Sequence, residues 1–198
     1  MRIHTKTPLV ALATAAISLF ATASFAAPAT IEVGGQARFV SEAPVEKIVG
    51  TAPIKGSFTI DFDKPDTVKG AFKVPVAQMK TGNETRDEHL RGAEWLNAEK
   101  CPNIEFLANS GEVKEVKAAD ARGISAMKIL VKGKMTINCV SQPMTAKVIV
   151  KRKAKMAKIG GKFEIKLADF KVAGKKGIVG KKVGQTIQVA INLRNKGK

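Results

Sequence analysis

The residues of this chain that could do chemistry are few and poorly spaced for it. Two histidines, His4 and His89, and two cysteines, Cys101 and Cys139, stand among 198 residues. His4 falls in the leader described below, so histidine chemistry in the remainder rests on His89 alone. His89 sits in the charged run Thr81-Gly82-Asn83-Glu84-Thr85-Arg86-Asp87-Glu88-His89-Leu90. A polar helix residue is the simpler reading there than a base for a serine nucleophile. A zinc site would have to gather His89, both cysteines and a carboxylate from scattered places, and no ligand spacing supports it. No Cys-x-x-Cys-His run attaches haem, and no glycine-rich loop precedes a helix to cradle phosphate. Paired carboxylates for glycoside hydrolysis are not excluded by residue type, but nothing points to them. The chain reads as a non-enzyme that requires no cofactor and holds no metal.

The cysteines suit a structural role. Arg2 and Lys6 precede an apolar run from Leu9 to Phe20, and Ser24-Phe25-Ala26 fits the small-x-small rule for signal peptidase. Residues 1–26 therefore read as a secretory signal peptide cleaved before Ala27. The run is shorter than the ~20 apolar residues of a membrane span. No cysteine follows it to carry a lipid anchor. Residues 27–198 read as one soluble periplasmic domain, large enough for its own core. In an oxidising compartment an even cysteine pair reads as a disulfide.

The elements that must position these residues are mostly strands. Phe58, Ile60 and Phe62 alternate with Thr59, Asp61 and Asp63, and Phe72, Val74 and Val76 share a face. So do Ile104 and Phe106, then Met127, Ile129 and Val131, with Met135 and Ile137 continuing after Gly133. Met144, Ala146, Val148 and Val150 follow. Phe163, Ile165 and Leu167 come next, and Ile187, Val189, Ile191 and Leu193 close the series. Each is the period-2 signal of a half-buried strand. Gly, Pro, Asn and Asp mark the breaks. About eight antiparallel strands in one domain make a barrel or a sandwich.

Residues 83–99 interrupt that pattern with a helical insert. Asn83 suits an N-cap, and Glu84, Asp87 and Glu88 suit the positive end of the helix dipole. Leu90, Ala93 and Leu96 form one apolar stripe with Trp95 off it. Gly92 predicts a kink or two short helices. Pro102 disfavours helix at Cys101 and ends the insert. Such an insert fits as a lid or plug across one mouth of a barrel.

The cysteines can be tested against strand register. Strands over about 103–114 and 125–138 should form a hairpin around a loop near 117–123. Matching apolar faces pairs Ile104 with Ile137 and Phe106 with Met135. Cys139 then falls opposite Pro102, and a strict ladder puts Cys101 and Cys139 on opposite faces. A bulge or turn at the strand ends could still unite them. The two readings are a bridge fastening the insert to the rim, or two free, partly buried thiols.

Charge sets the expected partners. The formal net charge is +17 with a pI near 10.0. A chain this basic is drawn to anionic membranes or polymers. Export and the scarcity of aromatics speak against nucleic acid. The run from Lys151 to Lys158 reads either as a solvated, basic strand end or as a polyanion site. The interior, rich in Phe and Met, is either a filled core or the lining of a ligand pocket. Eight strands are the size at which one ligand fits.

The run Thr81 to Leu90, then Trp95-Leu96-Asn97-Ala98 and Pro102-Asn103-Ile104-Glu105-Phe106, resembles the central signature of the YceI-like family. Gly133-Lys134-Met135-Thr136-Ile137 with Pro143-Met144-Thr145 is similar to a hairpin of that family. Gly161 to Ile165 with Asp169-Phe170 is similar to its late strand, and Ile178-Val179-Gly180 with Val183-Gly184 and Ile187 to Leu193 to its closing strand. The resemblance covers most of residues 30–195. Four positions depart from the family pattern: Cys101 stands in place of Tyr, Cys139 in place of Gly, and Trp95-Leu96 in place of a Phe pair.

The resemblance implies a mainly β fold, an extended eight-stranded antiparallel lipocalin-like barrel over residues 27–198. It implies a tunnel-like pocket for a polyisoprenoid, quinone tail or fatty-acid-like chain. The implied lining is Phe58, Ile60, Phe72, Leu90, Trp95, Ile104, Phe106, Met127, Ile129, Val131, Met135, Phe163, Ile165, Ile187 and Val189. Thr81, Asn83, Arg86 and Asp87 would pin the insert. The expected function is a non-catalytic carrier whose possible bound molecule is an isoprenoid or quinone-like lipid. The alternative is a filled barrel whose basic surface binds envelope polyanions or a protein. Expected partners are an apolar chain lipid and an anionic membrane surface, without nucleic acid. An exposed strand edge would allow a homodimer.

Overall fold

The computed structural model describes residues 29–42, 46–61, 64–174 and 183–195. The leader over residues 1–26, Phe62, Asp63 and the segment Ile178-Val179-Gly180 lie outside the described residues. The eight strands are β1 (Ala29–Glu42), β2 (Lys47–Ile60), β3 (Lys69–Pro75), β4 (Asn103–Lys117), β5 (Ser125–Ile137), β6 (Val140–Lys153), β7 (Met156–Lys166) and β8 (Thr186–Arg194). Each pairs antiparallel with its neighbours in chain order, and β8 returns to β1 from Ser41↔Ile187 to Gly34↔Arg194. The wall is thus a closed barrel, as expected. Closure pairs the first and last strands of the chain with each other. Among the described residues one α-helix, α1 (Glu84–Arg91), stands outside the wall. Among the described residues no helix is long and apolar enough to cross a membrane.

The strands form because their side chains alternate between a dry interior and water. On β5, Ile129, Val131, Met135 and Ile137 are buried, whereas Lys128, Lys132 and Lys134 are exposed. Met127 to Ile137 form one continuous strand, because Gly133 approaches Phe106 and the Leu107 carbonyl too closely for any side chain. Phe106 pairs with Met135, the register deduced from the apolar faces. Register shifts at Ala108/Ser110 and Val113/Glu115 mark bulges further along β4, which bend and twist the strand.

β1 and most of β2 carry no strand expectation from the reading above. The alternation is present in Ile31, Val33, Ala37 and Phe39, but Gly34-Gly35 interrupts it. Gly35 is required by closure: a Cβ there would lie 2.0 Å from the Asn192 carbonyl oxygen of β8. Pro53 is tolerated within β2 because β3 pairs with β2 only from Lys55 onward, leaving Pro53 where a second ladder is absent. Val76 belongs to a 3₁₀ turn after β3 rather than to the strand, and Leu167 begins another after β7.

Two clusters of buried side chains stack along the barrel. One surrounds Ile60, Ile129 and Leu193; the other surrounds Val76, Trp95 and Phe170 at the end that carries the insert. Fully burying one such side chain is worth about 1.5–3 kcal/mol, so both ends of the barrel are anchored.

Candidate ligand cavity

The insert is shorter in helix than its spacing predicts. Asn83 caps it, its side-chain oxygen accepting from the Arg86 backbone N–H at 2.9 Å. Gly92 ends α1 and donates to the carbonyls of Glu88 and His89. No second helix follows. Residues 92–100 fold back in turns held by Leu96 N–H to Leu90, Ala98 N–H to Arg91 and Cys101 N–H to Asn97. The reversal changes which side chains face inward. Ala93, expected on the apolar stripe, is exposed, while Trp95, expected off it, is buried beside Leu96. The periodicity argument fails here because it assumes a helix that Gly92 has already ended.

Three contacts fix the insert to the rim. Asp87 is 8 % exposed, and its carboxylate accepts from the Thr81 backbone N–H at 2.7 Å and the Thr81 hydroxyl at 2.6 Å. The Arg86 guanidinium meets Glu46 at 2.6 Å. A disulfide joins Cys101 to Cys139 with their Cα atoms 5.4 Å apart. Strict ladder reasoning opposed that bridge, and the turn between β5 and β6 overrides it. Asn138 and Cys139 have φ of 49° and 58°, the left-handed pair of a type I′ hairpin turn. Cys139 has therefore left the ladder, and no pleat direction constrains it.

Inside the wall runs a cavity of about 490 Å³, within the ~300–1,000 Å³ range of small-molecule sites. It reaches from Ile60, Ile129 and Leu193 in one cluster to Trp95, Leu96 and Leu167 in the other. The lining is overwhelmingly aliphatic and aromatic. Phe72 and Phe106 face each other across β3 and β4 with ring centroids 6.5 Å apart. Polar groups gather at the insert end: Ser41, Glu46, Thr81, Asn83, Thr85, Arg86 and His89. The cavity is thus an apolar tunnel with a polar mouth. Trp95 and Leu96 sit as a partial plug, and α1 borders the opening. Trp95 Nε1 is buried with no hydrogen-bond partner among the described residues.

The tunnel brings together the expected lining residues Phe58, Ile60, Phe72, Leu90, Trp95, Ile104, Phe106, Ile129, Val131, Met135, Phe163, Ile165, Ile187 and Val189. Met127 is the exception: it packs against the cluster around Ile129 and Leu193 and does not border the cavity. Met127 lies near the start of β5, four residues before Val131 and past the last cavity-lining residue of that strand, Ile129. Ala37, Phe39, Ala52 and Ile54 also line the cavity, from β1 and the part of β2 that carry no strand expectation. His89, whose residue type and spacing suggest an ordinary polar helix residue, borders the mouth.

The model of the YceI-like domain matches residues 23–194. A UPF0312 protein of Photorhabdus laumondii is 31% identical over 144 residues, covering 70% of this chain and 69% of that protein. Protein YceI of Salmonella arizonae is 30% identical over 140 residues, 68% of each. Among solved structures, BcnA of Burkholderia cenocepacia has a TM-score of 0.68 at 19% identity, over 82% of this chain and 96% of that one. A polyisoprenoid binding domain from Saccharophagus degradans has a TM-score of 0.65 at 13% identity, over 86% of this chain and 100% of that one.

Proposed function

We propose that this chain, which belongs to the YceI-like domain family, is a non-catalytic periplasmic carrier for one apolar chain. The carried molecule is a polyisoprenoid, a quinone tail or a fatty-acid-like amphiphile. The observation that carries the reading is the tunnel itself: a barrel that served only as a scaffold would fill its interior with side chains. This one keeps about 490 Å³ open behind a polar mouth, which favours it over a filled barrel acting through its surface alone. The description of the Saccharophagus degradans domain as polyisoprenoid binding points the same way.

The energetics are adequate without any covalent step. A chain burying ~400 Å² of its own apolar surface gains roughly 10 kcal/mol at ~25 cal/mol per Å². An association cost of about 4 kcal/mol leaves roughly 6 kcal/mol, which is binding in the tens of micromolar. The tail occupies the tunnel and the polar head stays among Ser41, Thr81, Arg86 and His89. A titration tests this directly. The chain has one tryptophan and no tyrosine, and that Trp95 borders the cavity. Adding a long-chain prenol or prenylated quinone should shift or quench its emission saturably, at one equivalent. An emission that ignores both lipids, in protein first stripped by organic extraction, would contradict the reading.

A further inference from the structure

The outer wall of the barrel is electrically lopsided. Strands β1–β4 carry seven lysines and arginines against five glutamates. Strands β5–β8 carry eleven against Glu164 alone. The ion pairs follow the same division. Among the described residues, Lys47–Glu42, Lys73–Glu105, Arg86–Glu46, Lys114–Glu112, Lys117–Glu115 and Arg122–Asp120 lie on β1–β4, the mouth or the β4–β5 loop. Lys128 on β5 meets Glu115 of β4 at 2.5 Å.

On the outer face of β6–β8, cations oppose each other directly. Lys147 pairs with Lys162, Lys151 with Lys158, and Lys158 in turn with Arg194. None has a carboxylate partner among the described residues. Like charges opposite each other destabilise a sheet, so this arrangement costs the fold something that an external partner would offset. Two large apolar side chains lie on the same face. Ile149, between Lys147 and Lys151, is 42% exposed with only Gly160 opposite, and Met156 is 54% exposed.

We propose that the outer face of β6–β8 docks on the surface of an anionic lipid bilayer. Its cations meet lipid phosphates while Ile149 and Met156 enter the boundary between head groups and acyl chains. Cations alone would suit any polyanion; exposed apolar side chains among them fit a lipid surface, which has an apolar layer beneath its charge. The face lies along the barrel wall, whereas the mouth lies at the end bearing α1. Docking is therefore side-on and leaves the mouth open. This inference stands apart from the identity of the tunnel's occupant.

The test is co-sedimentation with phosphatidylcholine vesicles, with and without phosphatidylglycerol. The chain should bind only the vesicles with phosphatidylglycerol, and added salt should release it. The double variant Lys147→Glu with Lys158→Glu turns like-charge pairs into opposite-charge ones, so it should fold at least as stably. It should bind about 30-fold more weakly, or worse, at ~1 kcal/mol per basic residue near the surface. A control with the same charge change on the other wall, Lys55→Glu with Lys69→Glu, should lose far less. Ile149→Ser with Met156→Ser should weaken vesicle binding and leave retention on heparin unchanged. Equal losses from both charge variants would refute a specific face. Undiminished vesicle binding by the serine variant, or heparin retention without vesicle binding, would replace the bilayer with a soluble polyanion.

Discussion

The Arg86 guanidinium on α1 and the Glu46 carboxylate on the β1–β2 connection lie 2.6 Å apart and border the same cavity mouth. Forty residues separate them in sequence, and the contact ties the insert to the opposite side of the opening. The pair is partly exposed, so its contribution to stability is small, about 0–1 kcal/mol. Its larger effect falls on the opening. Arg86→Ala should leave the melting temperature nearly unchanged while speeding both uptake and release of a bound lipid. Stopped-flow Trp95 emission reads the rates, and unchanged rates would show that the pair does not gate the mouth.

Asp87 presents the opposite case. It is buried and takes two hydrogen bonds from Thr81. Asp87→Ala leaves both Thr81 donors without that acceptor, and a buried unsatisfied group costs about 1–3 kcal/mol. Chemical denaturation should therefore show a clear loss for Asp87→Ala and almost none for Arg86→Ala. Equal losses would mean that the insert is not pinned through Asp87.

The disulfide closes a loop with a sequence separation of 38 that contains the whole β4–β5 hairpin, and it anchors the chain where the insert ends at Cys101. The chain-entropy relation gives about 4 kcal/mol for a loop of that size. Reduction, or Cys101→Ser with Cys139→Ser, should lower the denaturation midpoint by a corresponding amount. A mass difference of two hydrogens between reduced and oxidised protein accompanies the bridge. A midpoint that ignores reductant would contradict its structural role.

Ala146 separates the two functions of the interior. It is buried on β6 and borders the tunnel. A phenylalanine added to a packed core costs about 1–3 kcal/mol through overpacking. In an open tunnel the ring instead finds room. Ala146→Phe should keep or raise stability while abolishing lipid uptake. A strongly destabilised Ala146→Phe would mean that the space is not there.

Much of this arrangement is legible in the residue pattern. Phe58, Phe106, Ile129, Met135 and Phe163 announce themselves by alternation, and the Phe106–Met135 register follows from matching faces. Three things do not follow. β1 is hidden because Gly35, needed for β8 to approach, removes a side chain from the middle of its apolar series. Trp95 is misplaced because helical spacing loses meaning once Gly92 turns the chain back. Cys139 escapes the ladder because its left-handed backbone belongs to a turn, and alternation carries no information about turns. The tunnel itself is invisible to periodicity, since inward residues look alike whether they touch across the barrel or leave a gap.

The measurement that bears most directly on the central claim is native mass spectrometry of the protein purified from the cells that make it, followed by organic extraction and lipid mass spectrometry. The account predicts one isoprenoid or acyl species per chain, lost on extraction and regained on adding the same lipid. A clean unliganded mass that also ignores added prenols, quinones and fatty acids would contradict it.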